Sequence, residues 1–480
     1  MNYNISKYFM LGAVSLLCSC ANFTEIEPKG QNILSTTQEL EMILNNDYDC
    51  WVTDTRVLSG DCIYNESENV IDLLNRSEKT RWSILLSWDE DGHDSQLADL
   101  MADDEVYSRC YNRINRIANP ILSRVDFVTG SQDQKDLIKC EALLNRAIFH
   151  YIAVQKFAKA YDISYAATTP AIPYVLDTDN ILEPQPKRSL QYVYEHILAD
   201  IDMALTINGL PDRAINRMRL NKACAYAAKA MVLMSMQNSD EAAKAARNAL
   251  DISDVIVDYN TMTTTYNSML LNLPIEILYR PLLDCEEDYF SLITLEAGNG
   301  IPYDAWDFLE EGHAIHEKFL TEHTAWDGLM SPVATSLGMN LVGTWDLTSS
   351  WNSIGLKTTY MYLILAENAI NNNDYDSAMG YLDKIREKRI DPQKYRPLQG
   401  SVSDKAEAIR HLKQTSHGEC IFTYYNFVNK KRWSRLDDYK ETYKREIGGV
   451  TYTLSPESNL WIFPFPQNVT GLNNNITQNY

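Results

Sequence analysis

Apolar side chains recur at spacings of three and four residues over most of the chain, which is the pattern of helices with one buried face. Residues 103–128 and residues 134–160 both follow it, and Pro120 is expected to kink or divide the first of these helices. Ser189 stands where a helix running through Leu205 needs an N-cap. The pattern therefore predicts a mainly α-helical protein.

An internal repeat indicates how these helices are arranged. Two segments share residue classes at six offsets: a large aromatic residue, a small residue one turn later, and small or apolar residues along a second helix. The matching positions are Tyr226, Ala230, Leu233, Ala242, Ala246 and Ala249 in the first segment, and Tyr362, Ala366, Ala369, Ala378, Leu382 and Ile385 in the second. Small side chains let two helices approach closely, so this spacing is typical of tetratricopeptide hairpins. We expect such hairpins near residues 103–162, 188–252 and 356–390.

Residues 253–355 interrupt the helical periodicity. Glycine and proline recur between residues 298 and 343, and four of the nine tryptophans lie in this segment. A long irregular insertion within a compact chain is commonly functional. We therefore predict that this loop-rich segment carries the ligand site.

Composition and charge restrict the partners of this protein. The chain has 480 residues, of which 45% are apolar and 22% are charged, so it has enough apolar material for a folded globular body. Its net charge of −22 repels phosphate backbones, which argues against nucleic acid as a partner. Aromatic residues make up 10% of the chain, and we expect part of this set to lie at the surface.

The first residues have the features of an export signal. Residues 1–19 contain a single charge and the apolar run Phe9–Leu17, which is too short to span a bilayer. The following Leu17-Cys18-Ser19-Cys20 is similar to a bacterial lipobox, which makes Cys20 the predicted lipid attachment site. An ordinary cleaved signal beside a chance cysteine is the alternative. No later stretch reaches 18 apolar residues without a charge, so we expect a body of residues 20–480 that a lipid tethers to a membrane.

Seven cysteines remain after the signal and the predicted lipid site, widely scattered and without a CxxC pair. Export permits disulfides, yet such scatter in a large chain favours buried free thiols. A disulfide between Cys50 and Cys62 is the alternative for one pair.

Eight segments carry recognisable motifs in a consistent order: Tyr111–Asn119, Cys140–Ala147, Arg188–Tyr194, Asn221–Ala223, Met361–Ala369, Ile385–Arg389, Trp461–Pro466 and Gln478–Tyr480. Together with the lipobox they resemble the SusD/RagB family of outer-membrane lipoproteins, and the resemblance runs the length of the chain. Cys140 and Asn145 depart from the family pattern. His417–Cys420 also departs, although Asn429–Trp433 keeps the basic and tryptophan end of that family helix.

The resemblance implies a SusD-like helical scaffold of tetratricopeptide-like hairpins with a large irregular insertion. It also implies a task without catalysis: a lipoprotein anchored at the cell surface that captures a nutrient, usually a glycan. The implied partners are the glycan, the outer membrane, and a SusC-like TonB-dependent transporter that imports the nutrient. The resemblance implies no cofactor.

Loop aromatics are the predicted ligand contacts, because indole and phenol rings cover the apolar C–H faces of sugars. The candidates in the insertion are Trp306, Trp326, Trp345 and Trp351. Asp61, Tyr64 and Asn65 are added because members of the family often draw ligand residues from that region. For each of these the alternative is packing of a loop onto the helical body. Of Trp82 and Trp88, which flank an apolar run, we expect at least one in the core.

Other functions remain as alternatives. A peptide or glycopeptide collector of the same architecture is one alternative. An exported hydrolase is another, although no G-x-S-x-G, H-E-x-x-H or phosphate-loop motif supports it.

Two segments are considered as metal sites. His313 and His316 lie on adjacent turns without a defined third zinc ligand, so we favour a solvated helix face. Asp89–Asp94 is rich in oxygen ligands for a structural calcium ion but lacks the regular loop spacing, so we favour a solvated segment there.

Overall fold

The computed structural model describes residues 34–45, 52–60, 68–180, 182–261, 286–290, 308–315, 317, 320–322, 342–344, 354–421 and 423–480. Within these ranges the chain is mainly α-helical, which confirms the predicted fold class. The strands among the described residues form three separate two-stranded ribbons. No helix in the described ranges combines the length and hydropathy needed to cross a membrane.

The described part of the first 160 residues contains one long α-helix and seven shorter ones. They are α1 (Thr37–Leu44), α2 (Thr53–Ser59), α3 (Glu68–Asn75), α4 (Arg81–Ser87), α5 (Glu90–Gly92), α6 (Glu105–Arg113), α7 (Asn119–Arg124) and α8 (Gln132–Phe157). Between α6 and α7 the chain winds as a π-helix, Ile114–Ala118. The helix predicted over residues 103–128 is therefore divided as expected, and Pro120 lies in the first turn of α7, where its missing N–H costs little.

Helix α8 forms the centre of this half. Every side chain from Cys140 to Phe157 is buried, including the charged ones. A helix buried on all sides is a core helix, and its charges need partners because isolated buried charges are strongly destabilising. Glu141 accepts two hydrogen bonds of 2.7 Å from Arg219, and Arg146 donates two of 2.7 Å to Asp200.

The remaining α-helices in the described ranges are α9 (Leu190–Ile207), α10 (Lys222–Ser235), α11 (Ser239–Ile252), α12 (Thr358–Asn371), α13 (Tyr375–Arg386), α14 (Lys405–Cys420), α15 (Tyr424–Trp433) and α16 (Gln467–Thr470). Ser189 caps α9 as predicted, since its hydroxyl accepts a hydrogen bond of 3.2 Å from Tyr192 N. Helices α10 and α11 form one hairpin, α12 and α13 form another, and α11 packs on α12.

The repeat positions lie where these helices touch. Ala230, Ala242, Ala246, Ala249 and Ala366 are completely buried. An alanine at the contact allows a short distance between helix axes, and a larger side chain there would force the helices apart. The predicted hairpin packing is confirmed for residues 222–252 and 358–386.

Short strands lie in parts of the insertion that the structure describes, directly after the insertion, and in a later hairpin. Strand β1 (Asp288–Phe290) pairs with β4 (Leu356–Lys357), β2 (Leu320–Glu322) with β3 (Val342–Thr344), and β5 (Tyr443–Ile447) with β6 (Val450–Leu454), all antiparallel. The β5–β6 turn consists of Gly448 and Gly449, with φ of 59° and 73°. Two consecutive residues at positive φ make the tight hairpin turn that favours glycine at both places.

The four described cysteines are not part of any disulfide, as predicted. They are Cys110, Cys140, Cys224 and Cys420, all buried. Burial raises the pKa of the Cys224 thiol, which keeps it protonated and unreactive. Cys50 and Cys62, the pair considered for a disulfide, lie outside the described residues.

The C-terminal segment closes over the end of α8. Phe463 N donates to Lys156 O at 2.9 Å, and Asn479 Nδ2 donates to Phe157 O at 2.6 Å and to Ala171 O at 2.7 Å. The last carbonyls of a helix have no partner within the helix, so these donors satisfy groups that burial would otherwise leave unpaired. The end of the chain thus stabilises its central helix.

Replacing Asn479 with alanine should lower the free energy of unfolding by about 1–3 kcal/mol, because two carbonyls lose their donor. Chemical denaturation followed by circular dichroism measures the change. Asn474→Ala is the matched control, since Asn474 is exposed, and we expect a change within about 0.5 kcal/mol. Equal stability of the two variants would contradict the role given to Asn479.

Candidate functional site

The residues predicted to contact ligand lie outside the described part of the chain. They are Trp306, Trp326, Trp345 and Trp351 in the insertion and Asp61, Tyr64 and Asn65 near the N-terminus. The lipid attachment site Cys20 lies outside it as well. What the structure describes is the scaffold from which the insertion leaves and to which it returns, together with the surfaces of the helical body.

The described ends of the insertion are joined to the body by hydrogen bonds. Glu287 O accepts from Thr358 N at 2.9 Å and from Thr358 Oγ1 at 3.1 Å, directly where β4 leads into α12. Tyr289 Oη donates to Ser253 O at 2.7 Å, just beyond the end of α11. Residues 286–290 are therefore fixed against both hairpins.

Arg389 is the main ionic anchor of these ends. It is 1% exposed; its Nε and Nη2 donate to Glu419 at 2.6 and 3.1 Å, and Nη2 also reaches Glu287 at 2.9 Å. Its Nη1 donates to Val257 O at 2.6 Å, and its guanidinium lies 3.7 Å from the centre of the Tyr259 ring. Burial by itself raises the pKa of Glu419, but the charge of Arg389 outweighs burial and holds that pKa below its usual range.

A second anchor holds residues 308–315. Arg386 donates to the two carboxylate oxygens of Glu310 at 2.7 and 2.6 Å and also pairs with Asp383. A bidentate pair of this kind fixes both distance and orientation. Since the carboxylates around Arg386 and Arg389 are already bonded, both clusters serve to position the chain rather than to bind a ligand.

His313 differs from its prediction. Its side chain is 8% exposed, whereas the prediction placed it on a solvated helix face. Ala314 N donates a hydrogen bond of 2.7 Å to Arg389 O, and this bond holds the segment around His313 against the helical body. His313 Nδ1 accepts from Ile315 N at 3.2 Å. His316 lies outside the described residues, and within those that are described no three His, Cys, Asp or Glu side chains are grouped to hold a metal ion.

The acidic segment considered for calcium binds other protein groups. Asp89 accepts from Gly92 N at 2.9 Å and pairs with Lys79 at 3.1 Å. Asp94 pairs with His93 Nδ1 at 2.7 Å and also accepts from Asn459. Asp89 thus caps the start of α5, and Asp94 connects the following turn to the C-terminal part of the chain.

Trp88 confirms the expectation that at least one of the two early tryptophans belongs to the core. Its ring is buried, its Nε1 donates to Leu58 O at 3.0 Å, and the guanidinium of Arg445 lies 4.1 Å from the ring centre. Trp82 is half-buried beside Arg81.

An open cleft of about 150 Å³ lies where three segments meet: residues 159–165 after α8, residues 431–435 at the end of α15, and residues 456–462. We call it the C-terminal cleft. Arg435 lines it and binds Glu457 at 2.6 Å, and its guanidinium lies 5.9 Å from the Tyr165 ring. Burial lowers the pKa of Arg435, but Glu457 outweighs burial and raises it. Lys159 lies exposed at the rim.

The floor of the C-terminal cleft contains a buried amine. Lys431 Nζ donates to Gln155 O at 2.6 Å and to Ala158 O, so it satisfies carbonyls at the end of α8. Burial lowers the pKa of Lys431 well below its usual value. A second cavity, of about 20 Å³ between α10, α12, α14 and α15, has room for little more than one water molecule and does not suit a ligand.

No sequence pattern marks the cleft residues as ligand candidates. The segments Asn429–Trp433 and Trp461–Pro466, which carry the family resemblance, contribute to the cleft. Their resemblance marked them as structural motifs, and no local pattern indicated that their neighbours Lys159, Arg435 and Glu457 meet.

The fold defines a class of protein with a helical-hairpin scaffold and a large anchored insertion. Comparison with known proteins shows which family this class resembles. Residues 26–234 match the family of SusD-like proteins described as starch-binding and associating with the outer membrane. This part of the chain is similar to the SusD-like family. No curated protein sequence matches it significantly.

Solved structures share the fold over nearly the whole chain. A SusD superfamily protein from Bacteroides thetaiotaomicron superimposes with a TM-score of 0.62 at 16% identity, covering 93% of this chain and 100% of that one. A SusD-like carbohydrate binding protein from Bacteroides vulgatus gives 0.63 at 14% identity, covering 93% and 98%. Surface glycan-binding protein A from Bacteroides uniformis gives 0.61 at 13% identity, covering 92% and 99%. At such identities the likeness establishes the fold.

Proposed function

We propose that this protein is a lipoprotein of the outer-membrane surface that binds a glycan and delivers it to a SusC-like TonB-dependent transporter. The observation that carries the proposal is the match of residues 26–234 to a family described as starch-binding and associated with the outer membrane. The lipobox-like sequence ending at Cys20 supports the anchor. The proposed task is binding without turnover.

The anchors of the insertion fit a binding role physically. Binding costs the conformational entropy of any loop that must be ordered when ligand arrives. Arg389 and Arg386 hold residues 286–290 and 308–315 on the helical body before ligand is present. A loop that starts from fixed ends loses less entropy on binding, which favours affinity for a weakly binding sugar.

The aromatic prediction is tested with alanine variants of Trp306, Trp345 and Trp351. We expect each residue that stacks on a sugar ring to weaken binding about tenfold when replaced, which corresponds to about 1.4 kcal/mol. Affinity electrophoresis against a panel of polysaccharides, followed by calorimetry with the best ligand, measures the effect. Tyr375→Ala is the control, because this half-buried ring lies on α13, outside the insertion.

Two results of that experiment would argue against the proposal. If the folded protein binds no polysaccharide of the panel, the proposed glycan-binding function is contradicted. Tight binding of peptides with no binding of glycans would favour the peptide collector instead.

The predicted lipid anchor and the predicted transporter partner are tested in the producing cell, with the native protein and with the variant Cys20→Ala. We expect radiolabelled palmitate to enter the native protein and not the variant, and a TonB-dependent barrel protein to co-purify with the native protein from detergent-solubilised membranes. A native protein without palmitate would contradict the anchor, and native membranes that yield no barrel partner would contradict the transporter.

A further inference from the structure

The C-terminal cleft carries positive charge in a strongly acidic protein. Lys159 and Arg435 contribute two cationic side chains to its lining, whereas Glu457 is the only acidic residue among the lining residues that the structure describes. The buried amine of Lys431 is already bonded to backbone carbonyls and is not counted among these cations. The whole chain has a net charge of −22. A concave surface lined mainly by one sign of charge concentrates ligands of the opposite sign. The charge of the cleft therefore favours an anionic ligand.

The bond between Arg435 and Glu457 shows which anion suits the cleft. Arg435 Nη1 binds a Glu457 carboxylate oxygen at 2.6 Å, although the Glu457 side chain is 72% exposed and the Arg435 side chain is 26% exposed. The Nε of Arg435 is buried and has no hydrogen-bond partner among the described residues. An exposed ion pair contributes little to stability, so a ligand carboxylate can displace Glu457 at small cost and add a bond to the guanidinium.

The rest of the lining suits a sugar ring. The half-buried Tyr165 ring offers an apolar face, and Ser434, Ser458 and Asn459 supply hydroxyl and amide groups. The volume of about 150 Å³ is below the roughly 300–1,000 Å³ of pockets for larger ligands. The cleft therefore has room for a single ring rather than for an oligosaccharide chain.

We infer that the C-terminal cleft binds a carboxylate-bearing sugar unit, such as a uronic acid residue of an acidic glycan. Arg435 and Lys159 hold the carboxylate in place of Glu457, and Tyr165 packs against the ring. The inference rests on the proposed glycan-binding function and adds to it a second site, separate from the predicted loop tryptophans, together with the chemical class of its ligand.

The test compares methyl β-D-glucuronide with methyl β-D-glucoside on the full mature protein, by calorimetry and saturation-transfer NMR. We expect the glucuronide to bind saturably and at least about tenfold more tightly than the glucoside, because only the glucuronide offers a charge-assisted bond. Added salt should weaken its binding. Arg435→Gln and Lys159→Gln should each weaken it severalfold.

Glu457→Gln supplies a test that does not depend on damaging the fold. It removes an exposed carboxylate that competes with the ligand for Arg435, so the affinity for the glucuronide should increase. Lys139→Gln is the matched control: Lys139 lies on α8 far from the cleft and pairs with Asp126 at 2.9 Å, and its loss should leave the affinity unchanged.

Three results would overturn the inference. They are equal affinity for the two glycosides, weaker glucuronide binding by Glu457→Gln, and preferential binding of peptides through their C-terminal carboxylate. Affinity electrophoresis with a neutral polysaccharide separates this failure from failure of the proposed function. If the protein binds polysaccharide but not the glucuronide, only the proposed uronic acid site in the C-terminal cleft is rejected. If it binds no glycan at all, both this site and the proposed glycan-binding function are rejected.

Discussion

Replacing Arg389 with methionine should lower the free energy of unfolding by about 3–5 kcal/mol, because the change leaves two buried carboxylates without their cation. Those carboxylates belong to Glu287 and Glu419, which lie 2.9 and 2.6 Å from the guanidinium. Lys357 Nζ is 3.8 Å from Glu287, too far to replace the lost hydrogen bonds. Urea denaturation followed by circular dichroism measures the loss.

Arg410→Met provides the matched control for this prediction. Arg410 is largely exposed and lies 3.8 Å from Glu407, and an exposed pair of this kind contributes at most about 1 kcal/mol. A loss below about 1 kcal/mol for Arg389→Met would show that the Arg389 cluster does not anchor the ends of the insertion. A large loss for both variants would indicate a general effect of removing arginine rather than an effect of burial.

Acid should destabilise the protein through His150 as the pH falls from about 6.5 to about 3. His150 is completely buried in α8; its Nδ1 contacts Arg146 O at 2.8 Å, and its Nε2 accepts from Val175 N at 3.1 Å. These partners require the neutral ring with its proton on Nδ1. Burial lowers the pKa of His150 from 6.5 to about 3.

The sign of the effect follows from proton uptake. Between the folded pKa of about 3 and the unfolded pKa of 6.5, the unfolded chain binds a proton that folded His150 does not bind. The stability is therefore fully present above pH 6.5 and is lost as the pH falls towards 3. A shift of this size corresponds to about 5 kcal/mol at the low end of the range, the largest contribution that we expect from a single histidine.

His150→Gln separates this titration from that of the carboxylates. The variant should be less stable than the native protein at pH 8, because it disturbs the contacts of His150 with Val175 and the Tyr174 ring. Its stability should nevertheless fall less steeply between pH 6.5 and pH 3. Denaturation curves at several pH values give the two slopes, and identical slopes would contradict the assignment of the acid sensitivity to His150.

Local sequence patterns predicted the helical elements well. Ser189 before an apolar stripe gave a correct cap, and the alanines at matching offsets gave correct hairpin contacts, because both depend on residues within a turn or two of each other. His313 was predicted wrongly. Its burial depends on a hydrogen bond from the neighbouring Ala314 to Arg389, which lies 75 residues further along the chain.

The candidate sites were less accessible to prediction. The tryptophans of the insertion were selected by composition and by resemblance, and they stay predictions because they lie outside the described residues. The C-terminal cleft was missed altogether. Lys159 and Arg435 are separated by 276 positions, and neither is distinguished from other surface cations by its neighbours in sequence.

The sequence by itself determined the helical class, the paired hairpins, the resemblance to SusD-like proteins, and the prediction of a lipid anchor at Cys20. These features depend on short-range periodicity and local motifs, so they do not require contacts between distant parts of the chain. Only the tertiary structure decided which charges are buried together and which surfaces form a cavity. Packing of α8 against α15 brings Lys159 to the same cleft as Arg435, and packing of α13 against α14 brings Arg389 to Glu419. The burial of apolar faces sets the positions of these helices. Charged side chains that are buried where the helices meet then need partners there.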